Sequence, residues 1–191
     1  MAIRISTEAR LLDAAEELFF TRGIAATPVD AVLARAGVSA ATLYRGYPSK
    51  EALVAAALDR RHRAWLDCWE AAVRRRRTAR TRLLAVFDAL DEFRGRPDGA
   101  RWCAFLGSAA EYADPPTEVA AAVQRDTATL RARLTALAEP VTQDAAELAE
   151  RMLLLMTGSL AMRLREPGSD TATARAVAEV LIAAMSTPVP S

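Results

Sequence analysis

Lysine occurs once in this 191-residue chain, at position 50, and its placement is awkward. Lys50 directly follows Ser49, a strong helix N-cap, so its ammonium stands at the positive end of a helix dipole. A cation there costs up to about 1 kcal/mol at low salt. A bound anion reverses that sign: helix N-terminal N–H groups and a lysine together make a phosphate site. Tyr44 and Tyr47 stand just upstream and can donate phenol hydrogens to phosphate oxygens. Thr27, at the start of the same stretch, offers a further hydroxyl.

The elements that must hold these groups are legible on either side. Thr27 suits a helix cap, Pro28 its first position, and Asp30 the place where a carboxylate reaches back to the cap N–H. Val29, Val32, Leu33 and Ala36 come next on one helical face, and Gly37 ends the helix in left-handed geometry. Ser39 caps a second helix, with Val38 and Leu43 at the two positions of a hydrophobic staple. Pro48 disfavours helical geometry at Tyr47, so this helix is short. Its outward residues are Ala40, Ala41, Thr42, Tyr44 and Arg45. This is the grammar of a helix-turn-helix. It also suits any pair of short helices in an all-α core; Lys50 tips the balance toward nucleic acid.

The rest of the chain is read as helical. A first helix over 6–22, capped by Ser6 or Thr7 and ended by Gly23, presents Leu11, Leu12, Ala15, Leu18 and Phe19 on one face. Leu11, Ala15, Leu18, Phe19, Val29, Leu33, Val38 and Leu43 are the expected core of the N-terminal unit. A fourth helix starts at Ser49; if it persists to Arg76 it is roughly 40 Å long and ties the N-terminal unit to the remainder of the chain. Further helices are expected over 78–93, 101–112, 117–139, 143–165 and from Thr171 onward, with loops at Gly95–Gly99 and Asp114–Pro116 and a non-helical tail. No convincing alternation of period two occurs. The fold class is all-α: an N-terminal three-helix helix-turn-helix domain, residues 1–50, and a larger helical ligand-binding and dimerisation domain, residues 51–191, linked by the long helix from about 49. Met152 to Met156 is apolar nearly all round its helix, and the last helix carries a stripe of Ala174, Ala178 and Leu181. Either these helices pack within the chain, or they pair with a second copy as a four-helix bundle.

Composition excludes several classes. The 52% hydrophobic fraction is enough for a real core, and the net charge of +1 leaves room for a small, locally basic DNA-contacting face. Cys68 and Cys103 lack metal-ligand spacing and are read as reduced, buried thiols. No run of eighteen apolar residues and no signal-peptide pattern occur, so a soluble cytoplasmic protein without membrane partners is expected. His62, the one histidine, has no identifiable catalytic partner. It shares a stripe with Trp65 and Trp69; with Phe87, Trp102, Phe105, Tyr112 and Met156 these residues either line a ligand pocket or simply fill the core. Arg74 to Arg77 is read as a solvated helix end.

The run GVSAATLYRGYPSKEAL resembles the signature of the tetracycline-repressor (TetR) family of bacterial transcription regulators. Gly37, Val38, Ser39, Thr42, Leu43, Tyr44, Pro48, Ser49, Lys50 and Leu53 stand in the matching places. The segment RWCAFLGSAAEYADPP also resembles a stretch found in many members, without an assignable chemistry. The resemblance implies a homodimer, joined through the last two helices, that binds a palindromic double-stranded operator, usually as a repressor. A small apolar or amphipathic effector releases it by tilting the fourth helix; no cofactor is implied, and no enzymatic activity. The implied DNA-contacting set is Thr27, Ser39, Ala40, Ala41, Thr42, Tyr44, Arg45, Tyr47 and Lys50. Of these, Thr42, Tyr44 and Lys50 would hold phosphates, while Ala40, Ala41 and Arg45 would face base edges. Alanine offers only methyl contacts, so Arg45 is the candidate for a bidentate guanine contact. Two positions depart from the family pattern: Gly46 replaces an aromatic or histidine, and Tyr47 replaces phenylalanine. Two other functions stay open: a helical carrier or enzyme with a vestigial N-terminal unit, and a DNA-binding regulator controlled by a protein partner.

Overall fold

The structure, a computed structural model, describes residues 5–96 and 103–186. Nine α-helices and no strands occur among the described residues. They are α1 (Ile5–Arg22), α2 (Val29–Ala36), α3 (Ala40–Gly46), α4 (Lys50–Arg74), α5 (Ala79–Arg94), α6 (Ala104–Glu111), α7 (Thr117–Ala138), α8 (Ala145–Arg165) and α9 (Ala172–Met185). Trp102, residues 97–99 of the expected glycine-rich loop, the first residues of the helix expected from 101, and the tail from 187 lie outside the described residues. No described helix is long and apolar enough to cross a membrane.

Two compact units divide the chain. The first joins residues up to Arg63 with Ala100–Arg125; the second joins Ala64–Gly99 with residues from Asp126 onward. In the first, Leu11, Leu18, Phe19, Ile24, Val32, Leu43, Leu53 and Leu58 are buried together with Ala104, Phe105 and Val119. Val32 and Ala36 carry the burial of α2, while Val29, Leu33 and Val38, expected in the core, pack only partly against it. Arg60 of α4 pairs with Asp13 at 2.8 Å and with Glu16, both on α1. Arg125 of α7 reaches Asp59 of α4 at 3.0 Å.

In the second unit, Trp69, Phe87, Leu83, Leu134, Leu148, Met152 and Ile182 fill the core. Thr78 caps α5 in a reciprocal capping box with Thr81. Arg74 to Arg77 are all exposed, as expected of a solvated helix end. The helix stops at Arg74, and beyond it Arg76 meets Asp88 at 2.8 Å and Arg75 pairs with Glu92, both on α5. Arg163 is almost fully buried. Its guanidinium meets Asp91 at 2.5 Å, and Asp91 also accepts from the Thr171 hydroxyl, which anchors the α8–α9 turn to α5.

The turn between α2 and α3 is closed by Gly37 at φ 64° and ψ 43°. The Val38 N–H donates to Leu33 O at 3.2 Å and Gly37 N–H to Ala34 O at 3.3 Å, the two bonds of a Schellman motif. A β-carbon at Gly37 would meet only the Arg10 guanidinium at 3.8 Å, so space is not the constraint; the left-handed backbone is. Gly37→Ala is therefore expected to lower stability by about 1–2 kcal/mol in urea unfolding, with Gly37→Asn losing less. Equal stability of Gly37→Ala and the parent would remove the backbone explanation.

Candidate nucleic-acid interface

The second short helix is positioned by its buried side. Leu43 is fully buried and Tyr47, four residues on, is buried beside it, so one face of α3 is committed to the core of the first unit. Ala41 and Arg45 project from the opposite side, Ala40 and Tyr44 lie on its flank, and all four are exposed. Ser39 caps the helix through a 3.3 Å bond from the Thr42 N–H, and its hydroxyl lies 2.9 Å from that of Thr42. Tyr47 N–H closes the last turn on Leu43 O at 2.9 Å. Ser49 then caps α4 by accepting from Ala52 N–H at 3.0 Å.

Two of the expected phosphate donors face inward. Thr27 is 1% exposed. Its hydroxyl donates to Gly23 O at 2.7 Å, with Leu18 O at 3.3 Å, and the residue before α2 is Pro28 with no side-chain cap. Thr27 thus ties the α1–α2 turn to the end of α1; it neither caps α2 nor presents its hydroxyl to a phosphate. Tyr47 donates its phenol to Glu8 Oε1 at 3.0 Å, so its ring is a core residue of the kind a phenylalanine would be, with its polar end satisfied by α1. Burial first, and then the Glu8 carboxylate, push the Tyr47 phenol up to about 12 from 10.0.

Lys50 acquires a partner that the sequence does not announce. Its Nζ donates to Ile24 O at 2.5 Å and lies 5.9 Å from the Phe19 ring centroid. A carbonyl and an aromatic face both favour the cation, which offsets the unfavourable helix end. The ammonium still carries two further donors. The dipole anomaly alone therefore no longer demands an anion; the exposed Tyr44 and Arg45 and the half-buried Lys50 together keep the phosphate reading available. Two further positioning residues escape sequence reasoning. Glu8, on α1, holds Tyr47, and Glu111, on α6, holds the α1–α2 turn. Their partners are distant in the chain, and no local spacing flags them.

The aromatic residues fall into two cores. Phe105 and Tyr112 belong to the first, where His62 meets Phe105 edge-on at 6.1 Å. Trp65, Trp69, Phe87 and Met156 belong to the second. There Trp65 stacks on Trp69 at 5.8 Å, and the Arg133 guanidinium covers Trp69 at 4.9 Å. Trp69, Phe87 and Met156 are packed as core side chains.

These features define the class: an all-α protein whose N-terminal helix-turn-helix exposes one face of its second helix. Residues 11–57 match the family model "Bacterial regulatory proteins, tetR family". A TetR-family transcriptional regulator from Streptomyces coelicolor superposes with a TM-score of 0.86 at 29% identity, over 95% of this chain and 91% of that one. A TetR-type transcriptional regulator from Streptomyces avermitilis gives a TM-score of 0.77 at 28% identity, over 94% and 97%. The reduced form of NemR from Escherichia coli shares the fold, with a TM-score of 0.80 at 21% identity over 96% and 99%. No curated protein sequence matches the chain. Residues 11–57 thus resemble the family's N-terminal segment and the chain has the fold of solved TetR-family transcriptional regulators, so the resemblance read from Gly37 to Leu53 holds.

The raised Tyr47 phenol has a consequence for pH. Its folded-state value lies above the unfolded one, so its contribution to stability is complete below pH 10.0 and lost as pH rises toward about 12. Tyr47→Phe is expected to flatten the fall of the thermal midpoint across that window. An equally steep fall in the variant would show that another group carries it.

Proposed function

We propose that this protein is a homodimeric transcriptional repressor that grips a palindromic operator through α3 and the start of α4 and is released by a small apolar or amphipathic ligand. The observation that carries the DNA-binding part is the solvent-facing set Ala40, Ala41, Tyr44 and Arg45 on the helix that Leu43 and Tyr47 anchor. In this reading Arg45 contacts a guanine edge, and the two alanines leave room for thymine methyl groups. Thr42, Tyr44 and Lys50 hold the phosphate backbone, with the Ser39 hydroxyl beside Thr42. Lys50 keeps its bond to Ile24 O and turns its remaining hydrogens to a phosphate oxygen.

The dimer reading is supported by apolar side chains left in solvent on the last two helices. Leu154 is 73% and Val180 69% exposed, and Met162, Leu164 and Val177 are exposed as well. Met152 and Met156 of the same apolar run turn into the chain's own core, so Leu154 is the part left to a partner. Such a patch is covered in solution by another surface, and a second copy brings the identical patch. The ligand reading is supported by one group in the second core: the Trp69 indole N–H is buried with no acceptor among the described residues. A ligand with an apolar body and one acceptor atom matches that chemistry.

Binding to a labelled duplex from the region upstream of the protein's own gene tests the assignment. Lys50→Ala is expected to weaken binding on all sequences and reduce the salt slope by about one unit, whereas Arg45→Ala relaxes preference at one base position. An unchanged slope for Lys50→Ala rejects its phosphate role, and a sequence-independent loss for Arg45→Ala moves that residue to the backbone. Leu154→Asp combined with Val180→Asp is expected to give a folded monomer in sedimentation. A dimer that survives both charges would place the interface elsewhere.

A further inference from the structure

The Glu111 carboxylate, at the end of α6, accepts the Ile24 N–H on Oε1 at 3.0 Å and the Ala25 N–H on Oε2 at 2.9 Å. The carbonyl of the same Ile24 accepts the Lys50 ammonium at 2.5 Å. Ile24 is thus held at both of its peptide groups: the carboxylate takes the N–H of each, and the sole lysine takes the C=O of the second. Its side chain is buried in the core of the first unit, so the residue has little freedom left.

Gly23 leaves room for the Glu111 carboxylate at this turn. A β-carbon at Gly23 would stand 3.0 Å from Glu111 Oε1, and its φ of 94° already disfavours any other residue. The turn has its own local bonds, from the Thr27 hydroxyl to Gly23 O and from Thr27 N–H to Ile24 O. Glu111 adds charge-assisted bonds that bring in an element more than eighty residues away. At the other end of α6, Ala104 and Phe105 are packed in the same core, so the helix carrying Glu111 is itself fixed.

We propose that Glu111 is a positioning residue for the Lys50 phosphate clamp. The last turn of α6 sets the Ile24 peptide, and that peptide sets where the Lys50 ammonium stands. This rests on the phosphate role of Lys50 proposed above. It also gives the RWCAFLGSAAEYADPP segment a role, since its glutamate reaches the DNA-binding module without touching DNA.

A double-mutant cycle on the full-length protein tests it, using the duplex from upstream of its own gene over a series of salt concentrations. Lys50→Ala and Glu111→Ala are each expected to weaken binding about tenfold, and adding the second change to the first about threefold or less. Glu111→Ala also lowers the salt slope, as Lys50→Ala does. Glu111→Gln, which keeps one acceptor oxygen, recovers part of the affinity. Fully additive losses, with the slope unchanged in Glu111→Ala, overturn the positioning role and leave the Lys50 reading standing. An unchanged slope in Lys50→Ala removes that reading and this inference with it. Should Glu111→Ala not fold, by its thermal midpoint, the cycle is run with Glu111→Gln, and additivity there overturns the proposal in the same way.

Discussion

The seven-residue α3 is too short to be a stable helix in water by itself. Its exposed face exists because the opposite face is buried. Leu43 enters the core built on Leu11, Leu18 and Phe19, and Tyr47 joins it with its phenol tied to Glu8. Burying a large apolar side chain is worth about 1.5–3 kcal/mol, a contribution from tertiary packing that a helix of about two turns lacks in isolation. The Schellman turn at Gly37 and the Ser39 cap add direction. They determine where α3 starts and how it leaves α2, so the side chains of Tyr44 and Arg45 project from a fixed base.

Lys50 shows how one residue can carry two meanings. Along the chain, a cation beside a helix N-cap is an anomaly that asks for an anion. In space, the ammonium rests on the Ile24 carbonyl and near the Phe19 ring, which makes its position tolerable without one. The two are compatible, because one hydrogen bond leaves an ammonium with donors to spare. Ile24, which accepts the ammonium, is itself held by the Glu111 carboxylate through its N–H. A surface cation therefore becomes a cation at a defined point, which is what recognition of a backbone phosphate requires.

The second unit obeys a different logic. Several of its ion pairs, among them Arg76 and Arg175 with Asp88 and Arg163 with Asp91, gather on α5. They surround a core of aromatic and aliphatic side chains that no spacing rule could have separated from a ligand pocket, since a packed tryptophan and a ligand-lining tryptophan obey the same periodicity. What distinguishes parts of this unit is exposure. Leu154 and Val180 belong to apolar helical stripes like their neighbours, yet they face solvent.

Period and punctuation along the chain were enough for the all-α class, for the helix-turn-helix between Thr27 and Lys50, for the Gly37 turn, the Ser39 and Ser49 caps and the outward set of α3 apart from the half-buried Thr42. These are local features: helix periodicity, capping and left-handed glycine act over a few residues, so the sequence by itself carries them. The inward turn of Thr27 and Tyr47, the clasp of Lys50 and Glu111 on Ile24, and the division of the aromatics between two cores were decided by tertiary structure. Each depends on partners far apart in the chain, such as Glu8 for Tyr47 and Glu111 for Ile24. A hydroxyl or ammonium reads the same in sequence whether it ends up against a buried carbonyl or in water.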